Sequence, residues 1–423
     1  MSEQQATNSV QERPAPEGYV TWQVYWMAQG MPWRTEPEIE EQRRRELTER
    51  RVIRPDSEKG LYPFKDVKLD RGDVEWLLAT HRSKGIVGPV DWNNDDQKDR
   101  EGLDLRGSDL RDSDLNALPL ARLLGATPLK QVNDLTRAQR RMAVAHLEGA
   151  NLENAHLEGV DLNRAYLNDA DLRGAHMEQA ILYATHLESA NLNFVHLDGA
   201  DLRRAYFDTA SYLYGTVLSS KANGSIKVDN TRWNGANLTT AQLADLKILG
   251  DEQYALERRH RGSRRHRTER FTRAVRANRQ FALFLRSQGL SEDADRFSYR
   301  AQVSQRKVLR RQRRIGSWLF SLLLWALSGY GYRLRRVVAT YLIVLFAFAA
   351  GYYFLGDWFS EPHLQPYEAL LMSFTNIHGR AFTGVFDFSV VPVRAWLAGV
   401  QALFGLVIEG VFVAMLVQRY FAR

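Results

Sequence analysis

Apolar residues follow three different rules along this chain. From Leu103 onward one recurs at every fifth position: Leu105, Leu110, Leu115 and Leu120, then, past an insertion at 121–142, Leu147, Leu152, Leu157, Leu162, Leu167, Leu172, Met177 and Leu182 through to Phe207. Two residues before each later rung stands a small residue, from Ala145, Ala150 and Ala155 through Thr185 and Val195 to Ala205, and Asp or Asn often fills the place between. A period of five fits neither a helix, at about 3.6, nor a single strand, at about 2. It fits a four-sided coil with one side per five residues, Leu filling the interior and the small residue allowing a tight corner. Coils of this kind stack at roughly 4.8 Å, like strands, and bury a core only by stacking, so the pattern predicts a solenoid. Trp233–Leu246 reads as a last coil after the irregular Ser211–Arg232.

The second rule is continuous apolarity. Val337–Gly356 is uncharged, and Trp396–Val417 carries a single charge, Glu409. Each is long enough to cross a bilayer as a helix of about 20 residues. The stretch between them is too polar to span. Pro366 suits a first helical position and Tyr367–Phe374 is a good helix former, whereas Thr375–Gly384 is rich in glycine and polar groups. Irregular backbone at membrane depth survives only when buried in protein or lining water. Span, re-entrant loop (366–384) and span make the plan of an ion-channel pore subunit; a two-span anchor with an external loop is the competing plan.

The third rule is helical spacing. In 251–315, Phe271, Val275, Phe281 and Leu285 recur on one helical face. Gly289 is a stop signal, and Ser291, followed by Glu292, Asp293 and Asp295, opens a second helix. The expectation is a basic helical hairpin. Residues 316–336 hold a short apolar stretch flanked by Trp318 and Trp325, which suits an interfacial helix, followed by Arg333, Arg335 and Arg336. Residues 1–100 form a capping region: polar at Ser2–Glu17, aromatic at Tyr19–Trp33, a charged helix over Pro37–Arg54, and Asp70 placed to cap a helix over Arg71–His81. The expected domains are thus 1–100, 101–250, 251–315, 316–336 and 337–423.

Charge sets the topology. The 423 residues carry a formal +7, concentrated just before the first span. Basic segments stay cytoplasmic, which puts both termini there and makes a multi-pass protein of the cell (inner) membrane. Basic runs beside a span point to anionic lipid headgroups rather than to nucleic acid. The absence of cysteine excludes disulfides, thiol catalysis and Cys-based zinc sites. No phosphate loop, nucleophile triad or carboxylate pair emerges, so neither an enzyme nor a cofactor is expected. His156, His176 and His196 stand twenty apart and should stack in one outward column, with His146 and His186 sharing another with Tyr166 and Tyr206. Stacked imidazoles would repel when charged, which lowers their pKa. That column is a possible sensor surface; its spacing follows from the repeat and is not itself a metal-ligand signature.

The ladder Ala145–Phe207 resembles the pentapeptide-repeat family, A(D/N)LXX, which implies a right-handed quadrilateral β-helix. Leu327-Ser-Gly-Tyr-Gly331, the stretch Tyr367–Thr375 (YEALLMSFT) and the Gly-containing second span with its basic tip are similar to the two-transmembrane potassium-channel-like pore family, and to bacterial pentapeptide-repeat proteins that carry such a pore. That resemblance implies a homotetramer conducting inorganic ions through the bilayer. The filter would align with Thr375, Asn376, Ile377, His378, Gly379 and Arg380. Here it departs from Thr-Val-Gly-Tyr-Gly, and Arg380 would place a cation near the axis. Gln401, Gly405 and Glu409 lie four apart and would line the inner pore. The fold expected is multidomain: solenoid, α-helical hairpin and α-helical two-span membrane pore domain. Soluble pentapeptide-repeat proteins can mimic DNA, which the spans and basic hairpin argue against. A membrane-anchored scaffold whose solenoid recruits a protein partner is the alternative function.

Overall fold

The computed structural model describes residues 13–238, 243–257, 263–358, 364–379 and 392–420. They form two compact units, Met1–Ala301 and Gln302–Arg423.

In the first unit the five-residue ladder becomes a four-sided β-solenoid. Each side contributes one parallel bridge to the next coil, twenty residues on: Asn151↔Asp171, His156↔His176, Asp161↔Ile181, Tyr166↔His186. The corners are tight turns closed by hydrogen bonds such as Ala150 N–H to Leu147 O at 3.1 Å and Ala155 N–H to Leu152 O at 3.1 Å. The residue two after each leucine adopts a left-handed conformation, as at Gly149 (φ 68°), Asn154 (φ 56°), Gly159 (φ 62°) and Gly174 (φ 64°). Gly and Asn tolerate that conformation best. The corner is therefore made by this residue. The alanine beside it points inward with the leucine, and Ala150, Leu152, Ala155, Leu157 and Leu172 are all buried.

Two departures interrupt the ladder. The coil runs on through Leu124, which bridges both Asp104 and Asp161, and Ala145 N–H returns to Gly125 O at 2.8 Å. Residues 121–125, expected inside the insertion, thus complete a coil, and only the segment after them leaves it. A small hairpin of Ser219–Ser220 with Gly224–Ser225 absorbs extra residues further along.

Both solenoid ends are covered. At the first lie α1 (Trp22–Ala28), α2 (Glu41–Arg51) and α3 (Arg71–Ala79); Leu47 of α2, Phe64 and Leu69 of the connection that follows it, and Val74 and Leu77 of α3 join the ladder core. Asp70 caps α3 as its composition predicts, accepting from Asp73 N–H at 2.8 Å. The insertion carries α4 (Arg137–Met142). At the other end lie α5 (Gly250–Leu256), α6 (Arg264–Ser287) and, as far as Ala301, the first half of α7 (Ser291–Arg311), which runs on into the second unit. There Phe207 stacks on Trp233 at 5.1 Å and Trp233 on Phe284 at 4.6 Å, closing the core with aromatic area. Gly289 (φ 77°) breaks α6 from α7, as its position in the sequence predicts.

The second unit contains α8 (Ile315–Ser328), α9 (Leu334–Trp358), α10 (Pro366–Ile377) and α11 (Pro392–Tyr420). Arg306 and Arg336 both lie over the Trp325 ring of α8, at 4.7 and 5.1 Å, while Ile315, Leu319, Phe320 and Leu323 are exposed. The short α10 packs against both α9 and α11.

Candidate functional site

Among the described residues, two helical stretches are long and apolar enough to cross a membrane, Leu334–Phe354 and Arg394–Val417. Only 22% of each is buried inside the chain, the reverse of a soluble core helix. Between them α10 begins at Pro366, with Glu368 accepting from Gln365 N–H at 2.8 Å.

A buried polar network ties the three helices together. The Gln401 amide of α11 donates to Ser373 O at 2.8 Å and to Ser373 Oγ at 2.7 Å. The Ser373 hydroxyl donates to Leu345 O on α9 at 2.7 Å. Tyr352 Oη donates to Gln401 Oε1 at 2.9 Å and accepts from Asn376 Nδ2 at 3.2 Å. Gln401, Tyr352, Ser373 and Asn376 are all buried, and unpaired polar groups there would be costly. Gln401 is therefore spent inside the chain and does not open onto an aqueous vestibule.

One helical turn along α11, Gly405 meets the end of α10. A Cβ there would lie 1.7 Å from the Ile377 carbonyl oxygen, so only glycine permits this approach. A further turn on, Glu409 Oε1 lies 2.6 Å from His378 Nδ1. His378 Nε2 lies 3.1 Å from Tyr341 Oη on α9. The two contacts hold both ring nitrogens of His378, one toward Glu409 on α11 and the other toward Tyr341 on α9. Glu409 thus finds a histidine partner on the neighbouring α10 segment. The stripe Gln401, Gly405, Glu409 does share one face, and that face is the one turned to α10. Thr375 hydrogen-bonds back to its own helix at Leu371 O, 3.1 Å away, and Gly379 takes a left-handed φ of 66° just past the helix end. Arg380 and the second half of the re-entrant loop lie outside the described residues. Tyr341, Tyr352 and Ser373 are additions to the site. Their only sequence signal is a hydroxyl inside an otherwise apolar helix.

On the solenoid the histidine column stacks as expected: His156–His176 and His176–His196 ring centroids are each 4.9 Å apart. His146, Tyr166, His186 and Tyr206 form the second column at 5.3, 5.1 and 4.5 Å. The expected depression by mutual repulsion is overturned at His156. Its Nδ1 lies 2.9 Å from Glu158 Oε1, and that hydrogen bond raises its pKa above the ordinary value despite partial burial. The same contact recurs from His146 to Glu148 at 3.0 Å, His176 to Glu178 at 3.4 Å and His186 to Glu188 at 3.2 Å. The recurring tripeptides His-Leu-Glu and His-Met-Glu carried this signal in the sequence.

The family description "Pentapeptide repeats" matches residues 145–183 in 8 copies. The solenoid is built of pentapeptide repeats. Solved structures similar to it include a pentapeptide repeat protein of Nostoc PCC 7120, 23% identical over 28% of this chain and 84% of that one, with a TM-score of 0.20. A thylakoid-lumen pentapeptide repeat protein of Arabidopsis thaliana is 21% identical over 36% of this chain and 74% of its own, with a TM-score of 0.14. One from the cyanobacterium Cyanothece 51142 is 25% identical over 30% and 91%, also with a TM-score of 0.14. No curated protein matches the chain.

Proposed function

We propose that the chain is a membrane ion channel-like protein whose pentapeptide-repeat solenoid serves as a cytoplasmic sensor or assembly domain. One observation carries the reading. A short helix is pinned between two apolar helices by the hydrogen bonds of the Tyr352–Ser373–Asn376–Gln401 network. An external loop on a plain anchor has no need of a helix held between its spans, whereas a re-entrant segment at membrane depth must have its polar groups met by protein.

The charge pattern favours cations at this level. The carbonyl end of α10 carries the negative pole of its dipole, and Glu409 adds a carboxylate beside it. Arg380, which the pore resemblance aligns with the filter, would oppose this, so the reading is of an atypical filter rather than of a potassium filter. Large apolar side chains exposed along the spans, among them Ile343, Phe346, Leu406 and Val413, suit lipid and further copies of the chain, and the pore resemblance points to a tetramer. Basic residues flanking the spans support a reading with both termini in the cytoplasm and with α8 at the inner-membrane interface.

The test is ion flux from liposomes containing the purified chain, comparing K⁺, Na⁺ and Cl⁻ for the wild type, Glu409→Gln and Arg380→Gln. Cation flux reduced by Glu409→Gln is expected. Absence of flux for every ion sinks the pore reading. A second reading, a membrane-anchored scaffold, is favoured by the exposed aromatic cluster Phe194, Tyr212 and Tyr214 on the solenoid, where Phe194 and Tyr214 meet edge to face at 5.2 Å. It predicts a protein partner lost on Tyr214→Ala, with no conductance.

A further inference from the structure

Two stacked columns of rings run along the solenoid, and they are not equivalent. In the column of His146, Tyr166, His186 and Tyr206 each imidazole is separated from the next by a tyrosine. In the other, His156, His176 and His196 follow one another on successive coils. Among the described residues, imidazoles stacked on one another across successive coils occur in this second column.

Within it the carboxylates are unevenly supplied. His156 and His176 each have a glutamate two residues on. His196 has Asp198 instead, and one oxygen of that carboxylate, Oδ2, accepts both the Ser220 hydroxyl at 2.5 Å and the Asn223 amide at 2.7 Å. His196 turns to its neighbour's partner: its Nδ1 lies 3.9 Å from Glu178 Oε1, which is also 3.4 Å from His176 Nδ1. The other oxygen of Glu178 is buried and has no hydrogen-bond partner. Donor atoms of His176, Glu178 and His196 all lie within 4.8 Å of one another, the one such group found among the described residues.

We propose that His176, Glu178 and His196 bind a divalent transition-metal ion of the Zn²⁺ or Ni²⁺ type, with water completing its coordination. Two imidazoles and one carboxylate make a donor set for borderline ions. Mg²⁺ and Ca²⁺, which take oxygen ligands, are poorly served by it. Metal–nitrogen bonds of about 2.1 Å in a tetrahedral site bring donor atoms to roughly 3.4 Å from one another. The two rings, now stacked 13° from parallel, must therefore turn about their Cβ–Cγ bonds. Their partial exposure lets them do so, while the more buried Glu178 anchors the ion. Once bound, the ion links two successive coils and gives the solenoid a ligand-dependent stiffness that the repeat alone lacks.

The experiment uses the tag-free full-length chain in detergent, stripped with a chelator and titrated with ZnCl₂ by calorimetry. Co²⁺ absorption serves as a spectroscopic probe of the ligands. One ion per chain is expected, weakened at least about tenfold by Glu178→Gln and by His196→Gln, with the Co²⁺ spectrum altered in both. His186→Gln, in the tyrosine-separated column, should bind as the wild type does, and all three variants should keep wild-type protease resistance. No uptake at about 100 μM Zn²⁺, or uptake and a Co²⁺ spectrum indifferent to both ligand substitutions, overturns the assignment.

Discussion

Replacing Asp251 with asparagine is expected to stabilise the solenoid unit, and to do so increasingly as pH rises. The Asp251 carboxylate is buried in the first turn of α5, where it accepts Val228 N–H at 2.7 Å. Burial is the main force raising its pKa, to about 7. The Val228 hydrogen bond and Arg203 offset part of that rise, and Asp229 and Asp201 add to it. The ordinary value is 3.8, so between the two values the folded state holds a proton that the unfolded chain has released. Stability from this group is therefore present at low pH and lost as pH climbs through that window. At about 1.4 kcal/mol per pH unit, the interval amounts to at most about 4 kcal/mol at pH 8. Asparagine keeps the acceptor oxygen for Val228 and never ionises. Pulse proteolysis of the detergent-purified chain in urea, at a series of pH values from about 4 to about 8, measures the difference directly. The variant should match the wild type near the acid end and exceed it by roughly 2–4 kcal/mol at the alkaline end. A difference that stays flat, or a variant weaker at the alkaline end, would show that the carboxylate is ionised and held by Arg203, and would refute the reasoning.

Other perturbations probe the remaining links. Leu172 is fully buried in the ladder; Leu172→Ala should cost about 2–5 kcal/mol, and Leu172→Asp should abolish protease resistance of the solenoid by burying a charge, so a resistant Asp variant would contradict the inward rung. Gly405→Ala sets a methyl 1.7 Å from a backbone oxygen, a clash that no side-chain rotation relieves. A cost of at least ~1–3 kcal/mol in thermal stability, together with loss of ion flux, is expected if α10 is seated as described.

How much of this was legible in the sequence differs by region. The five-residue ladder declares its own fold, because each rung repeats the same local requirement and neighbouring coils repeat the same contact. Stacking of His156 on His176 followed from arithmetic alone. Two apolar runs, the proline start of α10 and the cap at Asp70 were likewise readable, since each rests on local composition. The sequence could not say which way the charge balance of the histidine column runs. Repulsion between rings and attraction to glutamate oppose one another, and at His156 the 2.9 Å contact with Glu158 decides it. Nor could it say that Gln401 faces inward, because a glutamine in an apolar helix suits water or a buried partner equally well. Only the approach of α10 at Gly405 brings Ser373 and Tyr352 within hydrogen-bonding reach of it. Periodicity determines what repeats along the chain; partners that occur once, from distant segments, are decided by the packing that brings them together.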